Sequence, residues 1–143
     1  MTDTLTSSEA ASSKPRATGP LAGIRIVEFA GLGPGPFASM MLSDMGADVV
    51  TLMRGEQKQG LRGAIMMRGR RQIACDLKDK QCVADVLKLL EGADALIEGY
   101  RPGVMERLGF GPDVVMARNK RLVYARMTGW GQSGPLARGV DCD

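Results

Sequence analysis

A chain with no histidine lacks the commonest general base of enzymes, so its cations, carboxylates and backbone amides must carry any chemistry. Two places hold such groups at a useful spacing. The first is Gly31-Leu32-Gly33-Pro34-Gly35-Pro36, set between a β-branched run and a helical pattern. Glycines there let the backbone approach a phosphate, and a helix N-terminus offers free amides and the positive end of a dipole. The loop reads G-x-G-x-G, not the G-x-G-x-x-G of dinucleotide binders, and by itself it reads equally as a plain strand-to-helix turn. The second place follows the next strand, where a binder of NAD would carry an Asp or Glu for the ribose hydroxyls. Met53 and Arg54 stand there instead. A cation suits a phosphorylated ribose, as in NADP or the 3′-phospho-ADP of coenzyme A; a solvated loop arginine is the alternative.

Alternating strand and helix signals supply the elements that position these groups. Residues 24–29, 48–53, 72–77, 95–98 and 122–127 read as five strands from their β-branched and apolar runs. Phe37, Met40, Met41 and Met45 recur at helical spacing, with Gly46 as a stop. Val83, Val86, Leu87 and Leu90 mark a second helix, with Asp79 as N-cap and Gly92 as stop. Pro102 and Pro112 open two short helices. Residues 54–71 have no period and read as a long functional or mobile loop. This alternation predicts a Rossmann-like open α/β domain, a parallel sheet with flanking helices and right-handed crossovers.

Composition narrows the class. Hydrophobic residues at 44% and charged residues at 24% are those of an ordinary globular domain. No apolar run is long enough to span a bilayer, and residues 1–19 lack the apolar segment of a secretory signal and read as a disordered leader. Cys75, Cys82 and Cys142 sit at no metal or redox spacing. Their odd count favours reduced thiols in a cytoplasmic protein, with Cys82 buried on a helix. The short basic cluster Arg68, Arg70 and Arg71 has no aromatic interleaving, which argues against nucleic acid.

Four segments taken in order, LAGIRIVEFAGLGPGP (21–36), RGRRQIACDLK (68–78), LIEGYRPGVMERLGFG (96–111) and LVYARMTGWGQSGP (122–135), closely resemble the class III CoA-transferase family (CaiB/BaiF type). Within it they are most similar to the α-methylacyl-CoA racemases. The resemblance covers residues 20–136, leaving 137–143 as a tail outside the family pattern. It implies the N-terminal part of the family's fold, an interlocked homodimer, no metal and no resident cofactor, and an acyl-CoA thioester as substrate. It also implies a set of coenzyme A contacts. Gly33 and Pro34 lie where the loop approaches the ligand, and Arg54 meets its phosphorylated ADP end. Cys75, Asp76, Leu77 and Lys78 lie beside adenine and phosphates, with Lys78 as the cation and Cys75 as a backbone contact. Gly99, Tyr100 and Arg101 cap the fourth strand, and Arg107 projects from the next helix.

The bottom-up reading agrees that most of these follow strand ends, where open α/β sheets bind ligands. Plain structural roles stand beside it: Lys78 as a solvated turn residue, Tyr100 as packing, Arg107 paired with Glu106 or Asp113. Met53, where the racemases carry an acid, and Gly69, where Asn is common, are departures that would soften the contacts.

In the racemases the segment after GQSGP leads to Gly-His-Asp, and the histidine with a later acid shuttles the α-proton of a 2-methylacyl-CoA. In the transferases a downstream aspartate attacks the thioester instead. Here the sequence reads GQSGPLARGVDCD. The expectation is therefore an N-terminal CoA-binding portion that lacks the catalytic residues and is inactive alone, after a frame change or in a partial gene. A stand-alone CoA-binding module without catalysis is the reading from a different class.

Overall fold

A computed structural model describes residues 18–55, 61–137 and 139. Five strands, β1 (Arg25–Phe29), β2 (Asp48–Met53), β3 (Arg71–Ala74), β4 (Ala95–Glu98) and β5 (Val123–Arg126), form one sheet in the order β3-β2-β1-β4-β5. Every pairing is parallel. The doubly wound α/β class predicted from the sequence is therefore the observed one. The order reverses between β1 and β4, the position at which such sheets open a crevice beyond their carboxyl ends.

The central strands β1, β2 and β4 are near-continuous apolar runs because both sheet faces are covered. On one face lie α3 (Lys80–Glu91), α4 (Val104–Arg107) and α5 (Pro112–Arg118). They bury Val86, Leu87, Leu90, Met105 and Val115 against Val27, Phe29, Leu52 and Leu96. Helix α3 keeps both ends read from the sequence: Asp79 accepts from the Gln81 amide at 3.1 Å, and Gly92 is the C-cap. Pro112 is the first residue of α5. Pro102 stands two residues before α4, whose N-cap is Gly103.

On the other face lie α1 (Pro34–Asp44) and α2 (Leu61–Met66). This layer is thinner. Of the four apolar residues that suggested an inward stripe on α1, only Met40 is buried; Phe37 and Met41 are about half exposed, and Met45 is on the margin. Gly35 and Ser39 face inward with Met40, so small residues, not the methionine stripe, set the approach of helix to sheet. Helix α2 occupies part of what the sequence suggested was a long loop. Six residues give under two turns, too few for a period to register. Residues 56–60 of that stretch, and 1–17 of the expected leader, lie outside the described residues. Thr18 and Gly19, placed in that leader from sequence, lie against Met45 and Gly46.

The polar centre of the α1 face is a buried ion pair. The Arg70 guanidinium donates to Glu28 Oε2, with side chains 0% and 1% exposed. Thr51, in register with Glu28 on the neighbouring strand, donates its hydroxyl to the same oxygen at 2.6 Å. A second nitrogen of Arg70 donates to the Met66 carbonyl and so holds the end of α2. The other two arginines of the basic cluster are also paired. Arg68 meets Asp44 at 2.5 Å and 3.0 Å, and Arg71 meets Asp48 at 2.6 Å and 3.2 Å.

Gly69 sits among them with φ +71°, and a Cβ there would fall 2.5 Å from Ser43 Oγ. It precedes β3, at the end of the sheet away from the strand carboxyl ends. Here the glycine serves the turn and the close approach to α1. Among the described residues no helix is long and apolar enough to cross a membrane.

Removing one member of a buried pair leaves the other charge uncompensated, which costs about 3–5 kcal/mol. Arg70→Ala is expected to lower unfolding free energy by that amount in urea titration. Replacing Glu28 and Arg70 together by methionine should recover most of it, because no buried charge is then left alone.

Candidate functional site

The carboxyl ends of the parallel strands bring the sequence-predicted residues to one edge of the sheet. Beyond β1 the chain turns through Gly31–Gly33 into α1. Gly33 is the N-cap with φ 69° and ψ −121°, a left-sided conformation that favours glycine. No side chain caps this helix, but Pro34 and Pro36 have no N–H and the Phe37 amide donates to the Gly33 carbonyl, so in its first turn only buried Gly35 has an amide to offer. Beyond β2, Arg54 is exposed while Met53 is buried. Met53 is thus part of the core.

Beyond β3 the chain alternates. Cys75 and Leu77 turn inward against the α3-side core, and Asp76 and Lys78 face outward. A tight local turn fixes them: the Lys78 amide donates to Asp76 Oδ1 at 3.0 Å, and the Asp79 amide to the Asp76 carbonyl at 2.9 Å. Cys75 is not a free thiol. It is joined to Cys82 by a disulfide, with the two Cα atoms 6.1 Å apart. The expectation of reduced cysteines is overturned for this pair, because the turn into α3 returns the chain to the end of β3. Sequence separation alone, seven positions, gave no sign of it. Cys142 lies outside the described residues.

Beyond β4, Gly99 passes beside Met127, where a Cβ would make only ordinary contact at 3.8 Å. Tyr100 is half-buried, edge-on to Phe29 at 6.4 Å between ring centroids. Burial pushes its phenol up, opposed by the nearby charge of Arg54. Arg101 is exposed. Arg107 folds back along α4, its guanidinium within 3.5 Å of where a Gly103 Cβ would stand. The salt bridge of Glu106 is to Arg126, which with a lesser attraction from Arg107 holds its carboxyl below the usual range.

Arg126 is the residue that the sequence reading missed as a site member. It ends β5 and reaches four partners: Glu98 on β4, with Nε 3.5 Å from Oε1; Glu106 on α4; Gln132 Oε1 at 2.8 Å; and the face of Tyr124 at 5.3 Å. Glu98 in turn accepts from the Tyr100 amide at 2.7 Å. One guanidinium thus ties together the Tyr100 turn, the helix that carries Arg107 and the loop of residues 128–135. The only sequence signal was its place inside the motif LVYARMTGWGQSGP, where the glycines drew attention first. Burial raises the Glu98 carboxyl, opposed by the Tyr100 amide and Arg126. An open hollow lined by Pro102, Gly103, Gln132, Ser133, Gly134 and Pro135 lies next to this cluster.

Arg54, Lys78, Arg101 and Arg107 thus stand exposed along the carboxyl edge of a doubly wound α/β sheet, the edge at which this class of fold has its ligand crevice. Residues 21–143 match the sequence model of CoA-transferase family III, and the chain belongs to that family.

Among its relatives are the α-methylacyl-CoA racemases of Mus musculus, at 46% identity, and Homo sapiens, at 42%. Each match covers 82% of this chain and 30% of the relative. An acetyl-CoA:oxalate CoA-transferase of Acetobacter aceti is 35% identical, over 90% of this chain and 36% of its own length. The solved structure of a Mycobacterium tuberculosis protein superposes with TM-score 0.79 at 35% identity, covering 89% of this chain and 38% of the other. A CaiB/BaiF family protein of Brucella suis gives 0.77 at 29% identity, over 85% and 36%. The chain spans about a third of the length of these relatives.

The pairing around Arg126 has a measurable signature. Tyr124 donates its hydroxyl to the Phe110 carbonyl at 2.7 Å. Burial, with Glu98 adding to it and Arg126 opposing, pushes its pKa from 10.0 up to about 12. A raised acid holds its proton more tightly when folded, so the stability this phenol contributes is complete below the unfolded value of 10.0 and is lost as pH rises towards 12. Ultraviolet titration should show no Tyr124 ionisation centred at pH 10.0 in folded protein, using Tyr124→Phe to assign the signal. A folded-state transition at the ordinary value would remove the case for a buried phenol.

Proposed function

We propose that this chain is the CoA-binding portion of an α-methylacyl-CoA racemase-like enzyme, and that its carboxyl edge holds the 3′-phospho-ADP end of the ligand. The observation that carries the reading is the convergence of Gly33, Arg54, Lys78, Tyr100 and Arg101 on one sheet edge from four different strand ends, flanking the β1/β4 switch point. At Gly33 the backbone would approach a phosphate with no Cβ in the way, and Pro34, which has no N–H, would pack beside it. Arg54 and Lys78 would supply charge to the phosphorylated ribose, with Cys75, Asp76 and Leu77 lining the adenine side. Tyr100 and Gly99 would form the floor of the crevice. Arg107 and Arg101 would meet the pyrophosphate.

In the intact parent the reaction proposed is α-proton removal from a 2-methylacyl-CoA and its return on either face, by an acid/base pair outside these residues. An interlocked homodimer in the cytoplasm, acting on acyl-CoA thioesters without metal, belongs to the same proposal and rests on the family resemblance. A second reading is exchange of CoA between carboxylic acids. It is favoured by the similarity to the Acetobacter aceti enzyme named above, which covers more of this chain than the racemases do.

Calorimetric titration with 3′,5′-ADP tests the cradle. Hydrogen bonds to charged groups contribute about 1.5–3 kcal/mol, so Arg54→Ala and Lys78→Ala should each weaken binding about tenfold or more. Arg118→Ala, which breaks only a surface pair with Glu91, should leave binding unchanged. Equal affinity in all three variants would move the ligand elsewhere. Incubating the 143-residue chain, which contains no histidine, with a 2-methylacyl-CoA in deuterated water should yield bound thioester and no α-deuterium. Deuterium incorporation would show an acid/base pair among these residues.

A further inference from the structure

The ligand contact proposed above for Cys75 is a backbone one; its sulfur is bridged to Cys82, and the bridge encloses the turn that presents Asp76 and Lys78. Its two ends are placed by different elements. Cys75 closes β3, its amide donating to the Met53 carbonyl at 2.8 Å. Cys82 lies in the first turn of α3, after the Asp79 cap. The Cα separation of 6.1 Å is within the ordinary range for a bridge.

The turn between the cysteines does not need the bridge for its shape. Asp76 accepts from the Lys78 and Asp79 amides, and Asp79 accepts from Gln81. Sheet, turn and helix cap therefore hold the two sulfurs near each other whether or not they are bonded. Both cysteines also line an open groove between β3 and α3, with Ile73, Gln81, Asp79 and Asp85 among its other walls. Cys75 is 4% exposed and Cys82 is only partly buried, so a small reagent entering the groove meets Cys82 first.

We propose that Cys75 and Cys82 form a reversible thiol–disulfide couple, exchanged with a neutral low-molecular-weight disulfide, that sets the mobility of the Asp76–Lys78 turn. Any effect on nucleotide affinity rests on the CoA reading above. In the forward direction the Cys82 thiolate attacks one sulfur of the small disulfide and expels the first small thiol. The Cys75 thiolate then attacks the Cys82 sulfur and expels the second. Two protein S–H bonds become one S–S bond, and the reagent's S–S bond becomes two S–H bonds. The two protons and two electrons lost by the protein thus reside in the two released thiols. Asp79 and Asp85 on the groove wall disfavour an anionic disulfide and so select the neutral class.

The test uses the 143-residue chain carrying Cys142→Ser, equilibrated with bis(2-hydroxyethyl) disulfide and 2-mercaptoethanol in varied ratio. Alkylation with N-ethylmaleimide followed by mass measurement should show both thiols disappearing together and returning together. Cys82→Ser in the same background should form no internal bridge. Amide hydrogen exchange over residues 76–82 should be at least about threefold slower in the bridged form. Two thiols that stay alkylatable at every ratio, a mixed disulfide on Cys82 that Cys75 does not resolve, or identical exchange in the two forms would each overturn the couple. Titration of both forms with 3′,5′-ADP separates the two ideas. At least about threefold tighter binding by the bridged form supports control of the cradle, and equal binding overturns that control. Changed exchange with no binding by either form would leave the couple standing and remove the cradle.

Discussion

The Glu28–Arg70 ion pair is the constraint on which the α1 side of the sheet is built. It joins β1 to the chain entering β3 across the intervening β2, whose Thr51 completes the group. Such a pair need not add net stability, because both ions give up water to enter the interior. What it adds is register. Side chains alternate faces along a strand, so a slip of one residue in β1 would drive Glu28 among the apolar residues of the α3 side and bring Val27 or Phe29 to the arginine. The same arginine holds the Met66 carbonyl, which makes α2 an extension of this charge pairing more than of any apolar face.

The two sheet faces differ accordingly. Phe29, Phe110, Leu90, Leu96 and Met105 pack an aromatic and aliphatic core on one side. The other side has a smaller cluster of Ile26, Ala47, Val49 and Ile97 beside its ionic centre. The larger face is the rigid platform from which Tyr100 and the Arg126 cluster are displayed, and the smaller one carries the glycine loop into α1.

The elements legible in the sequence were those whose signal is local. The strands at 48–53 and 95–98 were bounded by polar residues and glycine, and α3 carried its own cap, period and stop within its length. The glycine loop and the cations at strand ends were likewise readable, because a parallel topology sends every strand end to one edge. What escaped the reading depends on residues far apart in sequence. Arg126 gathers Glu98, Glu106 and Gln132 only once β4 and β5 are side by side. The bridge of Cys75 to Cys82 needs the turn into α3 to be formed. Phe37 and Met41 followed a helical spacing, yet the helix packs by its small residues, and spacing alone does not say which face is inward.

The three arginines at the entry to β3, Arg68, Arg70 and Arg71, are each matched by a carboxylate at the amino end of the sheet or in its interior. Arg54, Lys78, Arg101 and Arg107, towards the opposite edge, form no salt bridge with another described residue. All four are exposed, so an arriving anion meets them through solvent, and dissolved salt would blunt that encounter more than it would weaken the buried pair at Glu28.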